Sequence, residues 1–213
     1  MHCDTLIIGC GIGGAMAALE LAEDGQREIT VITRASRPGD SNSWMAQGGI
    51  VTLGEDDSAD VLVEDLLRAG AGLTHPQAAR QLATDGPELL DRLMRDVSAL
   101  RFDRDAEGRL SLGLEGAHSR RRILHVGDST GRAMMIALLE RLESLPNVRL
   151  LTGHTAVDLI TFPHHARSPL AVYDDLVCHG AYVLDGATGK ISRCFAGHTV
   201  LATGGAGRIY QHT

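Results

Sequence analysis

The stretch Thr5-Leu6-Ile7-Ile8-Gly9-Cys10-Gly11-Ile12-Gly13-Gly14 decides the fold. Thr5 to Ile8 form a short run of buried-strand type, and the run ends abruptly at a glycine cluster. Beyond it Ile12, Ala15, Met16 and Leu19 keep helical spacing as far as Gly25. Glu28-Ile29-Thr30-Val31-Ile32-Thr33 is rich in β-branched residues and predicts a second strand. Strand, glycine turn, helix and strand compose a βαβ unit, whose parallel strands require the crossover helix. The glycines fall in GxGxxG register at Gly9, Gly11 and Gly14. The first permits a tight turn, the second lets the backbone approach a pyrophosphate, and the third lets helix and strand pack closely. Phosphate oxygens would then meet the unpaired N–H groups at the positive end of the helix dipole. The chain is therefore expected to open with a Rossmann-like dinucleotide-binding unit using Gly9, Cys10, Gly11, Ile12, Gly13 and Gly14.

Working outward, Arg34 to Gly54 is an irregular stretch rich in Gly, Ser and Asn, longer than an ordinary connection and so of functional interest. Helical patterns resume over Ser58–Ala69 and over Pro76–Leu100, the latter expected to break at Gly86-Pro87. Arg101 to Gly127 is mixed and polar. Thr130–Leu145 is predicted as an amphipathic helix, with Met135, Leu138, Leu139 and Leu142 on one face. The remainder reads as strands at Val148–Leu151, Ala156–Phe162, Leu176–Leu184, Ile191–Phe195 and His198–Ala202. The turn Asp185-Gly186-Ala187-Thr188-Gly189 joins two of them as a hairpin.

The 213 residues suit one large domain, and 44% hydrophobic against 22% charged residues excludes wholesale disorder. A formal charge of -7 and only 3% aromatics argue against a nucleic-acid partner, which needs a basic footprint and stacking platforms. The apolar stretch Leu6 to Leu19 is too short and glycine-rich to span a bilayer, and Asp4 upstream argues against a signal peptide. No membrane partner is expected. Cys3, Cys10, Cys178 and Cys194 lack CxxC spacing and read as reduced thiols of a cytoplasmic protein. Ten histidines form no HExxH or Cys/His knuckle; the adjacent His164-His165 read as solvated loop, so no metal site is expected.

The second strand ends in Thr33-Arg34 where an acidic residue usually holds ribose hydroxyls. A cation there suits a 2′-phosphate, which keeps a nicotinamide enzyme in play. Thr199-Val200-Leu201-Ala202-Thr203-Gly204-Gly205 is a second apolar strand ending in a glycine turn, after a β-rich segment. Together the two turns point to a flavin domain, in which the chain returns to its cofactor after a β meander.

Several further segments carry a resemblance: Ala46-Gln47-Gly48-Gly49-Ile50, Val63-Glu64-Asp65, Glu115-Gly116-Ala117-His118-Ser119, Arg121-Arg122-Ile123-Leu124-His125, Asp128-Ser129-Thr130-Gly131-Arg132 and Ala156-Val157-Asp158-Leu159-Ile160. With Leu6–Gly14 and Val200–Gly205 they run in order over nearly the whole chain, and it resembles the L-aspartate oxidases of the succinate dehydrogenase/fumarate reductase flavoprotein family. The resemblance implies an α/β Rossmann-like FAD-binding domain with a parallel sheet plus β meander, incomplete because the capping and C-terminal helical domains lie outside residues 1–213. On that reading the chain is an N-terminal, partial FAD-binding domain, a fragment inactive by itself.

The same resemblance implies that Gly11 to Gly14 cradle the pyrophosphate and Arg34 stands near the adenosine ribose. Asn42, Ser43, Gln47, Gly48 and Gly49 would line the flavin side, the Ala156-Val157 backbone would meet adenine, and Ala202, Thr203 and Gly204 would close over the cofactor. Asn42 occupies the position where respiratory members carry the histidine that bonds covalently to FAD, so noncovalent FAD is expected. Glu115 matches the glutamate that faces substrate and distinguishes an α-amino dicarboxylate from succinate, since an ammonium group needs a carboxylate partner. A solvated loop glutamate is its other reading. Arg120-Arg121-Arg122 would either steer a dianion or simply offset the net charge, and His118 and His125 are read as structural.

The implied activity is oxidation of L-aspartate to iminoaspartate, with oxygen or fumarate as electron acceptor. The product would feed quinolinate and NAD biosynthesis, with quinolinate synthase as a partner. A fumarate reductase or succinate dehydrogenase-like flavoprotein and a non-enzymatic FAD-fold remnant are the alternatives. A plain nicotinamide dehydrogenase ranks below them because it leaves Ala46–Gly49 unexplained.

Overall fold

A computed structural model describes residues 1–37, 40–207 and 210–212. The chain forms two compact units, residues 1–44 with 138–213 and residues 45–137. In the first unit β1 (His2–Ile8) leads into α1 (Ile12–Ala22) and β2 (Ile29–Ile32), and β6 (Val148–Leu151), β7 (His154–Phe162), β8 (Val177–Asp185) and β9 (Ile191–Leu201) complete one sheet. The strand order is β6-β2-β1-β9-β8-β7. The β6, β2, β1 and β9 pairings are parallel, and β9, β8 and β7 form the antiparallel meander. The α/β fold with a parallel-dominated sheet is the one expected from the sequence.

Leu6, Ile7 and Ile8 are buried on both faces of the sheet, as a central parallel strand requires. One face packs Leu6, Ile8 and Ile32 with Ala181, Val183, Cys194 and Ala196. The helix α1 buries only small residues, Gly14, Ala15, Ala18 and Ala22, which bring its axis close to β1. Ile8 pairs with both Ile32 and Leu201, and Ile32 pairs with Leu151, so four parallel strands end at one level. The residues leaving that edge are tied together: Gly9 N–H donates to Ile32 O, Thr33 N–H to Leu151 O and Ala202 N–H to Ile8 O, each at 2.9 Å.

The expected gap at Ala196-Gly197, between strands Ile191–Phe195 and His198–Ala202, does not occur, and Gly197 lies inside one strand. Its Cα hydrogens face Asp4 O, leaving room for the strand to run unbroken along β1. The Asp185–Gly189 turn closes the β8–β9 hairpin as expected, with the Asp185 carboxylate accepting from Ala187 N–H at 2.9 Å and from the Thr188 hydroxyl at 2.8 Å.

The chain enters the second unit in α2 (Asn42–Met45) and leaves it within α5 (Thr130–Glu143). Between them lie β3 (Ile50–Val51), α3 (Ala59–Ala69), α4 (Pro76–Asp96), β4 (Leu112–Gly113) and β5 (Ile123–Leu124). The Ser58 hydroxyl caps α3 by accepting from Val61 N–H. Contrary to expectation, α4 runs through Gly86-Pro87 without a break. Ala79, Ala83, Leu90 and Leu93 form one buried face on both sides of Pro87, and Ala83 packs against Leu62 and Val63 of α3. Burial of that face outweighs the one backbone hydrogen bond that proline removes. The polar stretch Arg101–Gly127 also holds β4 and β5, which with β3 form a small antiparallel sheet in the order β3-β5-β4.

Candidate flavin and substrate site

In the first unit the candidate residues gather at the carboxyl edge of the parallel strands, where open α/β sheets bind ligands. Gly9 has a φ of 111°, and a Cβ built on it would collide with Ala202 O. Only glycine satisfies both demands. A Cβ on Gly14 would collide with Gly9 O, whereas Gly13 faces open space. The opening and closing glycine turns, nearly the whole chain apart in sequence, are therefore in direct backbone contact. The N-terminus of α1 carries no acidic residue in its first turn. Ser43 Oγ lies beside it, accepting from Ile12 N–H at 3.0 Å. Burial pushes the Cys10 thiol up to about 11, so it stays a neutral packing residue within the turn.

Arg34 is exposed just past β2. Thr33 and Ala35 on either side accept from His154 N–H and Gly153 N–H, each at 2.9 Å, which brings this corner to the start of β7. There the pairing of β7 with β8 shifts between Ala156 and Asp158, a bulge that leaves Val157 without a register partner. Val157 is 54% exposed. A bulge residue of this kind keeps backbone polar groups free for a ligand. Asn42 is the exposed first residue of α2, and Thr203 and Gly204 are exposed past β9.

A glycine-lined helix N-terminus, with Ser43 Oγ held on its Ile12 N–H, and an unpaired strand bulge fit the pyrophosphate and adenine of a dinucleotide. Fold and turns thus define a dinucleotide-binding domain of the flavoprotein kind.

The second unit holds the remaining candidates. Gln47, Gly48 and Gly49 lead into β3 and are exposed, and Gly131 N–H donates to Ala46 O at 2.9 Å. A Cβ on Gly48 would stand 2.7 Å from Glu115 Oε1, so the two expected segments meet at this point. A Cβ on Gly49 would strike Ile123 and Leu124 of β5, so glycine is what lets this segment lie flat on the small sheet. Glu115 is exposed in the β4–β5 loop.

That loop is held by a buried ion-pair network centred on Arg122. Arg122 is fully buried. Its Nε and Nη2 donate to the two carboxylate oxygens of Asp57 at 2.7 and 2.8 Å, and its Nη1 donates to Asp65 Oδ2 at 2.8 Å. Asp65 Oδ2 also accepts from Ser119 N–H at 2.8 Å and Ser119 Oγ at 2.9 Å, while Arg68 pairs with Asp65 Oδ1. Burial alone would raise the Asp65 carboxyl. The hydrogen bonds from Ser119, Arg122 and Arg68 outweigh it and hold the group well below the usual carboxylate range. Of the arginine triplet, Arg122 is therefore unavailable to steer a substrate, and only Arg120 and Arg121 are exposed. His118 Nδ1 lies 3.3 Å from Arg122 Nη1, and His125 Nδ1 lies 3.0 Å from Asp103 Oδ2.

Residues 4–213 match the model of the FAD binding domain family. The chain belongs to that family, and its cofactor is FAD. It is 39% identical to L-aspartate oxidase 1 of Ralstonia nicotianae, an alignment covering 100% of this chain and 38% of that protein. It is 37% identical to the chloroplastic L-aspartate oxidase of Arabidopsis thaliana, covering 99% of this chain and 30% of that one. Among solved structures, the Mycobacterium smegmatis Sdh1 complex superposes with a TM-score of 0.84 at 27% identity, over 98% of this chain and 35% of its own. The Escherichia coli quinol fumarate reductase FrdA shares the fold with a TM-score of 0.86 at 22% identity, over 99% of this chain and 34% of its own. The chain thus spans well under half the length of these relatives. Among the described residues no helix is long and apolar enough to cross a membrane.

Proposed function

We propose that this chain is the N-terminal, FAD-binding portion of an L-aspartate oxidase acting in the cytoplasm. The reading is supported by its relatives, which bear that name, and by the position of Glu115 against Gly48. Noncovalently bound FAD would be held by Gly9 to Gly14 at the α1 N-terminus, by Ser43, and by the exposed backbone of Ala156-Val157 and Ala202 to Gly204, with Arg34 toward the ribose. Asn42 and Gln47 to Gly49 belong to the flavin side. FAD supplies the two-electron acceptor when bound.

The chain's own contribution is orientation. Glu115 is an exposed carboxylate, which suits it to receive the α-ammonium of L-aspartate and leaves succinate without a matching contact. The buried Asp65–Arg122–Asp57 network holds its loop, so little side-chain and backbone freedom is lost on binding. Oxidation removes the Cα hydrogen with its electron pair and one proton from the α-ammonium nitrogen, giving iminoaspartate. Oxygen or fumarate then takes the two electrons, and the product passes to quinolinate synthesis and so to NAD, with quinolinate synthase as the consuming partner. The relatives are between two and four times longer, and we infer that the 213-residue chain alone does not turn over.

The observation carrying this reading is the Glu115–Gly48 juxtaposition. In a version of the chain extended to the length of its relatives, Glu115→Gln should lower kcat/KM for L-aspartate by roughly tenfold to a hundredfold, the worth of a charge-assisted contact. Fumarate reduction should be unchanged. Equal loss for both substrates would favour the fumarate reductase alternative, and aspartate oxidation by the 213-residue chain itself would overturn the inactive-fragment reading.

A further inference from the structure

The end of β7 and the turn that follows it gather side chains that the flavin reading leaves unused. Asp158, His164 and His165 each present one ligand atom, and the three atoms lie within 4.8 Å of one another. His165 Nε2 is 3.5 Å from Asp158 Oδ2, and the two imidazole rings meet edge to face with centroids 4.7 Å apart. We propose that Asp158, His164 and His165 form a surface site for a late first-row divalent cation, such as Zn²⁺, Ni²⁺ or Cu²⁺.

Two of the three ligands are oriented before any metal arrives. Asp158 Oδ1 accepts from Leu159 N–H at 2.9 Å, which leaves Oδ2 turned toward the histidines. His165 is held from two sides. Its ring lies 5.7 Å from that of Tyr182, and its Nδ1 sits 3.1 Å from Thr161 O and 3.3 Å from Thr161 N. Two tautomers satisfy this setting. With Nδ1 bare, it accepts from Thr161 N–H and Nε2–H points to Asp158. With Nδ1 protonated, it donates to Thr161 O and the Nε2 lone pair faces Asp158. The second tautomer is the ligating one, and its backbone carbonyl partner is the kind that metal-bound histidines use to fix ring orientation.

Tetrahedral coordination at about 2.0–2.2 Å needs the three atoms to close to about 3.4 Å of each other. Exposed side chains on a turn can move that far, and water completes the shell. Two imidazoles with one carboxylate select Zn²⁺, Ni²⁺ or Cu²⁺ over Mg²⁺ and Ca²⁺, which require mostly oxygen ligands. All three ligands come from eight consecutive residues, so closing the site orders little chain.

Titration of the 213-residue chain with ZnCl₂ in a calorimeter at neutral pH should show one equivalent bound in the micromolar range, and MgCl₂ should give no heat. His164→Gln and His165→Gln should each weaken zinc binding by about tenfold or more, and Asp158→Asn by a similar factor. These side chains are exposed, and unchanged circular dichroism should show that the variants fold. No zinc binding at millimolar metal would overturn the proposal. So would unchanged zinc stoichiometry and affinity in the triple variant, because the cysteines or other histidines would then be the ligands. Broadening of amide NMR signals by NiCl₂ should centre on residues 158–165, and broadening centred elsewhere would overturn the assignment.

Discussion

Arg122 shows how much one residue organises in the second unit. Its guanidinium bridges two carboxylates, Asp65 within α3 and Asp57 in the loop before it, and Asp65 passes the constraint to Ser119. A buried ion pair is worth little against an apolar isostere, but removing one partner strands the other charges in a low-dielectric setting, at about 3–5 kcal/mol. Arg122→Met should therefore lower the unfolding free energy by about that much in urea titrations. A change within about 0.5 kcal/mol would show that the network carries no net stability. The acid side follows from Asp65. Its folded-state carboxyl lies below its ordinary value of about 3.9, so its stabilisation is present above about pH 4 and drains away as pH falls below it. Asp65→Asn should flatten the stability profile in that acid range. None of this was legible locally. Arg120, Arg121 and Arg122 look alike in sequence, and which one is buried depends on the register of Ile123-Leu124 against β3 and β4.

Among the elements, the sequence was most readable where a single periodicity governs burial. The opening βαβ unit, α5 and the three-strand meander follow from local patterns because their neighbours in space are neighbours in sequence or share an evident turn. Reading failed where tertiary packing overrode a local breaker. Gly86-Pro87 in α4 and Gly197 in β9 are both crossed without interruption. The short strands β3, β4 and β5 carry too few residues to show alternation at all. The α4 finding has a direct consequence. Gly86 is helical, a Cβ there meets nothing within 4 Å, and glycine in a helix interior costs about 0.5–1 kcal/mol relative to alanine. Gly86→Ala should raise the melting temperature by about 1–4 °C. A fall would mean that the helix is interrupted at this point in solution.

Across the whole molecule, the strongest constraint is the one with the longest sequence separation. Gly9 and Ala202 touch because β1 and β9 pair in a register that ends both strands together, and β2 and β6 end at the same level. Local patterns supplied two glycine turns, and their pairing as a flavin domain rested on reading the two motifs together, since parallel pairing of the first and last strands leaves no short-range trace. This edge should hold FAD as a ligand of the folded chain alone. At a free FAD concentration a hundred times the dissociation constant, binding stabilises the folded state by about 2.7 kcal/mol, which for a chain of this size is a rise of about 5–10 °C in melting temperature. On the proposed noncovalent reading, in which Asn42 takes the place of a covalently linked histidine, acid precipitation of the loaded protein should release all flavin fluorescence into the supernatant. Flavin retained in the pellet would refute noncovalent binding. A melting temperature indifferent to FAD would show that the paired turns do not by themselves hold the cofactor and that binding needs sequence beyond these residues.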